Sequence, residues 1–116
     1  MIKHTLKSLL DEQSLSTFLL DASGVLYTSS GAIDGVSNTV SHLHSLGSVF
    51  LVTNNSFQYI DIISEKFKEN GVYVSSDYII SSGLGLSEDP DLFALIRDKS
   101  VYVYGYPSCY PYIDCV

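Results

Sequence analysis

The sequence has no tryptophan, one methionine, three prolines and only two cysteines among 116 residues. So few cysteines exclude a small secreted scaffold stapled by disulfides. The spacing of Cys109 and Cys115 matches neither CxxC nor a zinc ribbon, so they read as two ordinary thiols in a reducing compartment, with a disulfide or metal site as the alternative. Basic residues are scarce too. Six Lys and Arg face 13 Asp and Glu, giving a formal charge of −7 and a pI of about 4.5. That balance argues against non-specific nucleic-acid binding, which needs clustered cations. An anionic ligand must then be held locally, by backbone N–H groups or a metal, because the global field repels it. Membrane-length apolar runs are also lacking. The opening MIKHTLKSLLDEQ breaks its apolar stretch at Asp11 and Glu12, and no small-residue cleavage site follows, so it does not read as a signal peptide. These features predict a cytoplasmic protein with neither a membrane nor a nucleic-acid partner.

What is present is a hydrophobic fraction of 46%, enough to exclude a disordered segment. The length suits one small α/β domain. Leu6, Leu9 and Leu10 recur at helical spacing within residues 3–12. Thr17 to Asp21 is a short apolar run ending in an acid, as in a buried parallel strand. Residues 22–31 are small and polar and read as a loop. Val36, Val40, Leu43 and Leu46 predict a helix stopped by Gly47, and Ser48 to Val52 a second strand. Ile60, Ile63 and Phe67 mark a further helix closed by Gly71, and Tyr78 to Ile80 a third strand. Asp89 and Pro90 form a helix start, with Leu92, Leu95 and Ile96 as the expected buried face. Val101 to Tyr104 predicts a fourth strand, and the tail to Val116 resolves into no element. The alternation predicts a parallel sheet with helices on both faces, right-handed crossovers, and a ligand edge beyond the carboxyl ends of the strands.

The first residues at those ends are Asp21, Thr53 and Ser81. An acid directly after a buried strand is costly unless paired or used. Asp21 can serve as a nucleophile, as a magnesium ligand, or as a plain loop cap. Thr53 and Asn54 sit in the same layer, where a hydroxyl and neighbouring N–H groups can bind phosphate oxygens, and where a Thr-Asn-Asn-Ser turn can equally cap the next helix. Other candidates are weaker. His42 and His44 are two apart on a helix and point to different faces. Gly83-Leu84-Gly85 is too short for a dinucleotide loop. Glu88, Asp89 and Asp91 follow a helix-start pattern better than a metal site.

The segments FLLDASGVLY, GAIDGV, VFLVTNNS and YIISSG, in that order over residues 14–83, resemble the haloacid dehalogenase (HAD) superfamily. The closer likeness is to its large-cap branch (subfamily IIA), which includes pyridoxal phosphate phosphatase. The resemblance implies a Rossmann-like, three-layer α/β core, here incomplete. It further implies a Mg2+-dependent phosphatase acting through an aspartyl phosphate on Asp21. Asp21 and the Ser23 carbonyl would hold the metal, and Ser23, Gly24, Thr53 and Asn54 would bind the phosphate of a small phosphorylated substrate. One departure matters: the family's second aspartate, its general acid, is Ser23 here. That DxSG form is similar to the phospholysine/phosphohistidine/pyrophosphate phosphatase group, whose substrates have good leaving groups. Phosphoric monoesters, phosphoramidates and pyrophosphate all remain open. Asp34 stands where the family often has proline, a neutral change.

By the same resemblance, residues 1–99 cover the amino-terminal part of the core and 100–116 the start of a cap. The family's later lysine and acidic metal ligands lie beyond Val116, so the chain is expected to be truncated and inactive or very weak alone. The tyrosine-rich tail is expected to pack into a missing domain. A homodimer is compatible with this picture. The competing reading is a non-catalytic truncated product or a partner-binding α/β module. A receiver-like or flavodoxin-like module shares the sheet, but TNNS at the second strand argues against it.

Overall fold

A computed structural model describes residues 5–12 and 14–114 of the chain. Helix α1 (Leu6–Glu12) leads into strand β1 (Thr17–Asp21). A small hairpin follows, β2 (Tyr27–Thr28) and β3 (Gly31–Ala32), then α2 (Val36–Leu46) and β4 (Ser48–Thr53). Helix α3 (Ile60–Glu69), β5 (Ile79–Ser81) and the short helices α4 (Gly85–Glu88), α5 (Pro90–Ile96) and α6 (Pro111–Asp114) complete the order. Strands β1, β4 and β5 form a parallel sheet in that order, with Leu20 beside Leu51, Asp21 beside Val52, and Thr53 beside Ser81. This register brings Asp21 and Thr53 to one edge of the sheet.

The core lies on one side of that sheet. Phe18, Val49, Leu51 and Ile79 point into it and meet Val40 and Leu43 of α2 and Ile63 and Phe67 of α3. Residues of opposite parity face away: Leu19 is 66% exposed, Val52 38% and Ile80 47%. The expectation of helices on both faces is therefore not met within the described residues. The reason is topological. From β1 to β4 to β5 the chain steps across the sheet in one direction, and right-handed crossovers then put both connecting helices on the same face. The fold class is an α/β, Rossmann-like parallel sheet, incomplete in its layers.

Three local expectations also need correction. Val101–Tyr104 forms no strand; Tyr102 and Tyr104 are 90% and 96% exposed. Strand propensity reflects packing against a neighbouring strand, and none adjoins this segment. Helix α5 begins as expected, with the Asp89 carboxylate accepting from the N–H groups of Asp91 and Leu92 at 2.9 and 3.0 Å, yet it buries no residue and Leu95 is 71% exposed. Within the expected loop 22–31, Tyr27 and Thr28 pair with Ala32 and Gly31, so part of it is a hairpin. Cys115 lies outside the described residues, as do the first residues of the first predicted helix.

The tail, which shows no pattern in sequence, is tied to the sheet. Tyr112 is 2% exposed. Its hydroxyl donates to the Gln58 carbonyl at 2.8 Å and lies 2.8 Å from Ser81 Oγ. Gly83 allows this: a Cβ there would stand 2.5 Å from the Tyr112 ring. Burial pushes the Tyr112 phenol pKa up, only partly offset by the hydrogen bond to Ser81.

Leu51→Ala is expected to destabilise the fold by about 2–5 kcal/mol, whereas Leu19→Ala on the open face should stay within about 0.5 kcal/mol; urea denaturation of both variants checks the one-sided core. Gly83→Ala should cost about 1–3 kcal/mol by the same measurement, because the Tyr112 ring must move. With its folded pKa above the unfolded value, Tyr112 contributes stability that is full below the ordinary phenol pKa of about 10 and is lost as pH rises through the folded value. Denaturation curves from about pH 9 to about pH 11 should therefore show a steeper loss for the natural chain than for Tyr112→Phe.

Candidate active site

The carboxyl ends of β1 and β4 open into a cleft of about 690 Å³, lined by Asp21, Ser23, Thr53 and Asn54 among others. Its floor is laid by the sheet. Asp21 ends β1 because its neighbour Ala22 is buried at 3% and turns the chain into the core, leaving the carboxylate at the exposed edge. Asp21 Oδ1 accepts the Ala22 N–H at 2.8 Å, and no protein donor among the described residues reaches Oδ2. The following turn is closed by the Ala22 carbonyl, which accepts from Leu26 and Tyr27 at 3.0 and 3.2 Å. Gly24 sits at φ 79°, the left-handed region open to glycine, and its N–H donates to the Tyr27 carbonyl at 2.8 Å. Gly24 thus shapes the turn and does not line the cleft.

Thr53, the last residue of β4, is 5% exposed. Its Oγ1 accepts the Asn55 N–H at 3.2 Å, and its own hydrogen has no acceptor among the described residues. Asn55 Oδ1 then accepts from Phe57 N–H at 3.1 Å, a local side-chain turn. The carbonyls of this loop are taken by hydroxyls from elsewhere in the chain. Ser82 Oγ donates to Asn54 at 3.1 Å, Ser81 Oγ reaches Asn55 at 3.2 Å, Ser108 Oγ donates to Phe57 at 2.6 Å, and Tyr112 binds Gln58. The Tyr59 N–H returns the link to the Ser108 carbonyl at 2.9 Å. The Phe57 and Tyr106 rings meet edge to face, 6.1 Å apart, at the cleft wall. Segments 54–59 and 106–112 therefore hold one another.

Four of the five site residues expected from sequence, Asp21, Ser23, Thr53 and Asn54, share the cleft, and Gly24 lies in the turn that follows β1, outside the lining. Lys66 of α3 also lines the cleft and escapes sequence reasoning, because nothing in its spacing ties it to the strand ends. Tyr106 and Ser108 escape it likewise, being brought in only by the packing of the tail. Ser81 is not in the cleft lining; it braces the loop. His42 and His44 are exposed and outside it, and His44 Nε2 lies 3.0 Å from the Tyr73 carbonyl.

No group of three or more His, Cys, Asp or Glu side chains placed to hold a metal occurs among the described residues. The cleft offers a single carboxylate with one oxygen free of protein donors. This suits Mg2+, which is commonly held through one or two carboxylates while substrate phosphate and water fill its octahedron. It does not suit an all-protein cage.

A family model described as haloacid dehalogenase-like hydrolase matches residues 18–115. Phosphoglycolate phosphatase 2 of Arabidopsis thaliana is 40% identical over 101 residues, which are 85% of this chain and 33% of that protein. The 4-nitrophenylphosphatase of Schizosaccharomyces pombe is 33% identical over 90 residues, 76% of this chain and 30% of its own length. The chain thus spans about a third of the curated relatives it matches. Among solved structures, a possible sugar phosphatase of the HAD superfamily from Cytophaga hutchinsonii superposes with a TM-score of 0.76 at 26% identity, over 97% of this chain and 39% of that one. A 4-nitrophenylphosphatase from Thermotoga maritima, at 22% identity and a TM-score of 0.66 over 87% of this chain and 38% of that one, shares the fold. The strand-end acid, the TNNS loop and the matched span agree, and the chain belongs to the haloacid dehalogenase-like hydrolases, in their large-cap branch.

Proposed function

We propose that this chain carries the nucleophile half of a Mg2+-dependent phosphatase site for a small phosphorylated substrate. The observation that carries the reading is the meeting of Asp21 with Thr53 and Asn54 in one cleft at the ends of adjacent parallel strands. A free Asp21 oxygen attacks phosphorus, the bond from phosphorus to the leaving oxygen or nitrogen breaks with its electron pair going to that atom, and an aspartyl phosphate forms as the leaving group departs. Water then hydrolyses that acyl phosphate, releasing inorganic phosphate and restoring the carboxylate. The Thr53 hydroxyl donates to a phosphoryl oxygen, and Asn54 and Ser23 border the same group. Mg2+, held by Asp21 and the Ser23 carbonyl, would neutralise charge on the phosphoryl oxygens.

Ser23 cannot protonate a leaving group near neutral pH, so the reading favours leaving groups that depart without an acid. Phosphoramidates and pyrophosphate need less help of this kind than alkyl monoesters. Residues 1–99 as core and 100–116 as the start of a cap, and a cytoplasmic location, belong to this proposal. No helix among the described residues is long and apolar enough to cross a membrane. The chloroplastic phosphoglycolate phosphatase 1A of Arabidopsis thaliana, 31% identical over 93 residues, keeps the compartment a question for localisation microscopy.

A second reading, a partner-binding α/β module or a homodimer, is favoured by one observation, the open apolar sheet face of Leu19, Val52 and Ile80. Analytical ultracentrifugation separates it: a concentration-dependent dimer lost on Leu19→Lys supports it, and a monomer at all concentrations removes it.

The chemical test of the phosphatase reading is covalent. On incubation with acetyl phosphate and Mg2+, the intact mass should gain one phosphoryl group on the peptide holding Asp21, labile to hydroxylamine. Asp21→Asn should gain none, and an adduct that persists in that variant would sink the reading. Thr53→Val should lower the affinity for methylphosphonate about two- to tenfold, as loss of one hydrogen bond does, read by NMR titration. Steady-state turnover of 4-nitrophenyl phosphate by the 116-residue chain should be lower by several orders of magnitude than that of a complete enzyme of the family.

A further inference from the structure

We infer that Ser82 is a positioning residue for the phosphoryl group: its hydroxyl fixes the peptide between Asn54 and Asn55, and that peptide in turn aims the Thr53 hydroxyl. The inference rests on the phosphatase reading and adds to it a residue from outside the cleft lining. The parallel ladder between β4 and β5 ends at the pair Thr53 and Ser81. One residue further on, a side chain takes over from the backbone: Ser82 Oγ donates to the Asn54 carbonyl at 3.1 Å. The other end of the same peptide unit points the opposite way, because the C=O and N–H of a trans peptide are antiparallel. There the Asn55 N–H donates to Thr53 Oγ1 at 3.2 Å. Ser82 Oγ, the peptide and Thr53 Oγ1 thus form one continuous line of hydrogen bonds.

What this line controls is the use of the Thr53 hydrogen. A threonine hydroxyl has one hydrogen to donate and lone pairs to accept with. With the Asn55 N–H on a lone pair, the hydrogen turns away from that amide, and it has no acceptor among the described residues. Thr53 lines the cleft, so a ligand there can take it. If the peptide turned over, the Asn54 carbonyl would replace the Asn55 N–H beside Thr53 Oγ1. The hydroxyl would then donate to that carbonyl, and the cleft would lose its donor. The Ser82 hydrogen bond favours the present orientation. The other hydroxyls that hold this loop act further along it. Ser81 reaches the Asn55 carbonyl, Ser108 the Phe57 carbonyl and Tyr112 the Gln58 carbonyl. Among the described residues, only the peptide held by Ser82 also hydrogen-bonds to the Thr53 side chain. Ser82 is exposed and absent from the cleft lining, so its side chain can be changed without opening the core or touching a ligand.

The test uses the 116-residue chain at fixed free Mg2+, with methylphosphonate affinity read by NMR titration. Valine and threonine have nearly the same shape, so Ser82→Val and Ser82→Thr differ in the hydroxyl alone, and the second valine methyl keeps water from taking its place. Ser82→Val should bind methylphosphonate about two- to tenfold more weakly, the range for one lost hydrogen bond, while Ser82→Thr should bind as the natural chain does. The Asn55 amide hydrogen should exchange with solvent faster in Ser82→Val than in Ser82→Thr. Ser82 is exposed, so both variants should keep the natural circular dichroism spectrum. Thr53→Val and the double variant complete a mutant cycle. Because Ser82 works through the Thr53 hydroxyl, the double variant should bind no more weakly than Thr53→Val alone. Equal affinities in Ser82→Val and Ser82→Thr, or losses that add in the double variant, overturn the role of Ser82 while the phosphatase reading stands. Failure of the natural chain to bind methylphosphonate overturns both.

Discussion

The site depends on a set of hydroxyl-to-carbonyl hydrogen bonds that fasten the loop after β4. Four carbonyls between Asn54 and Gln58 are each met by a serine or tyrosine hydroxyl from β5, its following turn, or the tail. Irregular backbone is expensive to bury unless its polar groups are paired. Here the pairing comes from side chains, which leaves the loop free to follow the shape of the cleft and not a strand ladder. Ser81 is central: its hydroxyl accepts from Gly83 N–H, contacts Tyr112 and reaches Asn55. With the phenol proton given to Gln58, Ser81 is the donor towards Tyr112, and the Asn55 carbonyl shares the same hydrogen. The result is a preformed cleft wall, built without a single basic side chain in the loop.

The sheet sets a second constraint. Because it is crossed in one direction, its helices gather on one face, and the apolar parity of β1, β4 and β5 on the other face stays open. The same parity explains the position of Asp21. It follows Leu20 and precedes buried Ala22, so the chain leaves the sheet there with its carboxylate at the edge. One face therefore carries the folding energy, and the edge carries the strand-end residues Asp21 and Thr53.

Electrostatically the cleft is spare. Its lining holds one carboxylate, Asp21, and one lysine, Lys66, inside an acidic chain. In the proposed reaction the absence of an acid at Ser23 limits how the leaving group departs. In the proposed reaction Thr53 would act on the phosphoryl group, through a hydroxyl hydrogen that no acceptor claims among the described residues.

The sequence by itself determined the local elements and the strand-end residues. The span of β1 matches its apolar run from Thr17 to Asp21, and Asp89 caps its helix, because both depend on neighbours along the chain. The co-location of Asp21 with Thr53 and Asn54 was legible for a related reason: parallel strands joined by right-handed crossovers bring their carboxyl ends to one edge. Only the tertiary structure decided the rest. Val101–Tyr104 has strand composition and no strand to pair with, while the patternless tail buries Tyr112 against Gly83. Leu92 and Leu95 keep helical spacing but are not buried. Lys66 enters the cleft through the placement of α3, and the loop is held by Ser81, Ser82, Ser108 and Tyr112, which are remote from it in sequence. Periodicity and capping are short-range properties. Which surface a side chain meets is a long-range one, settled only when separate segments pack together.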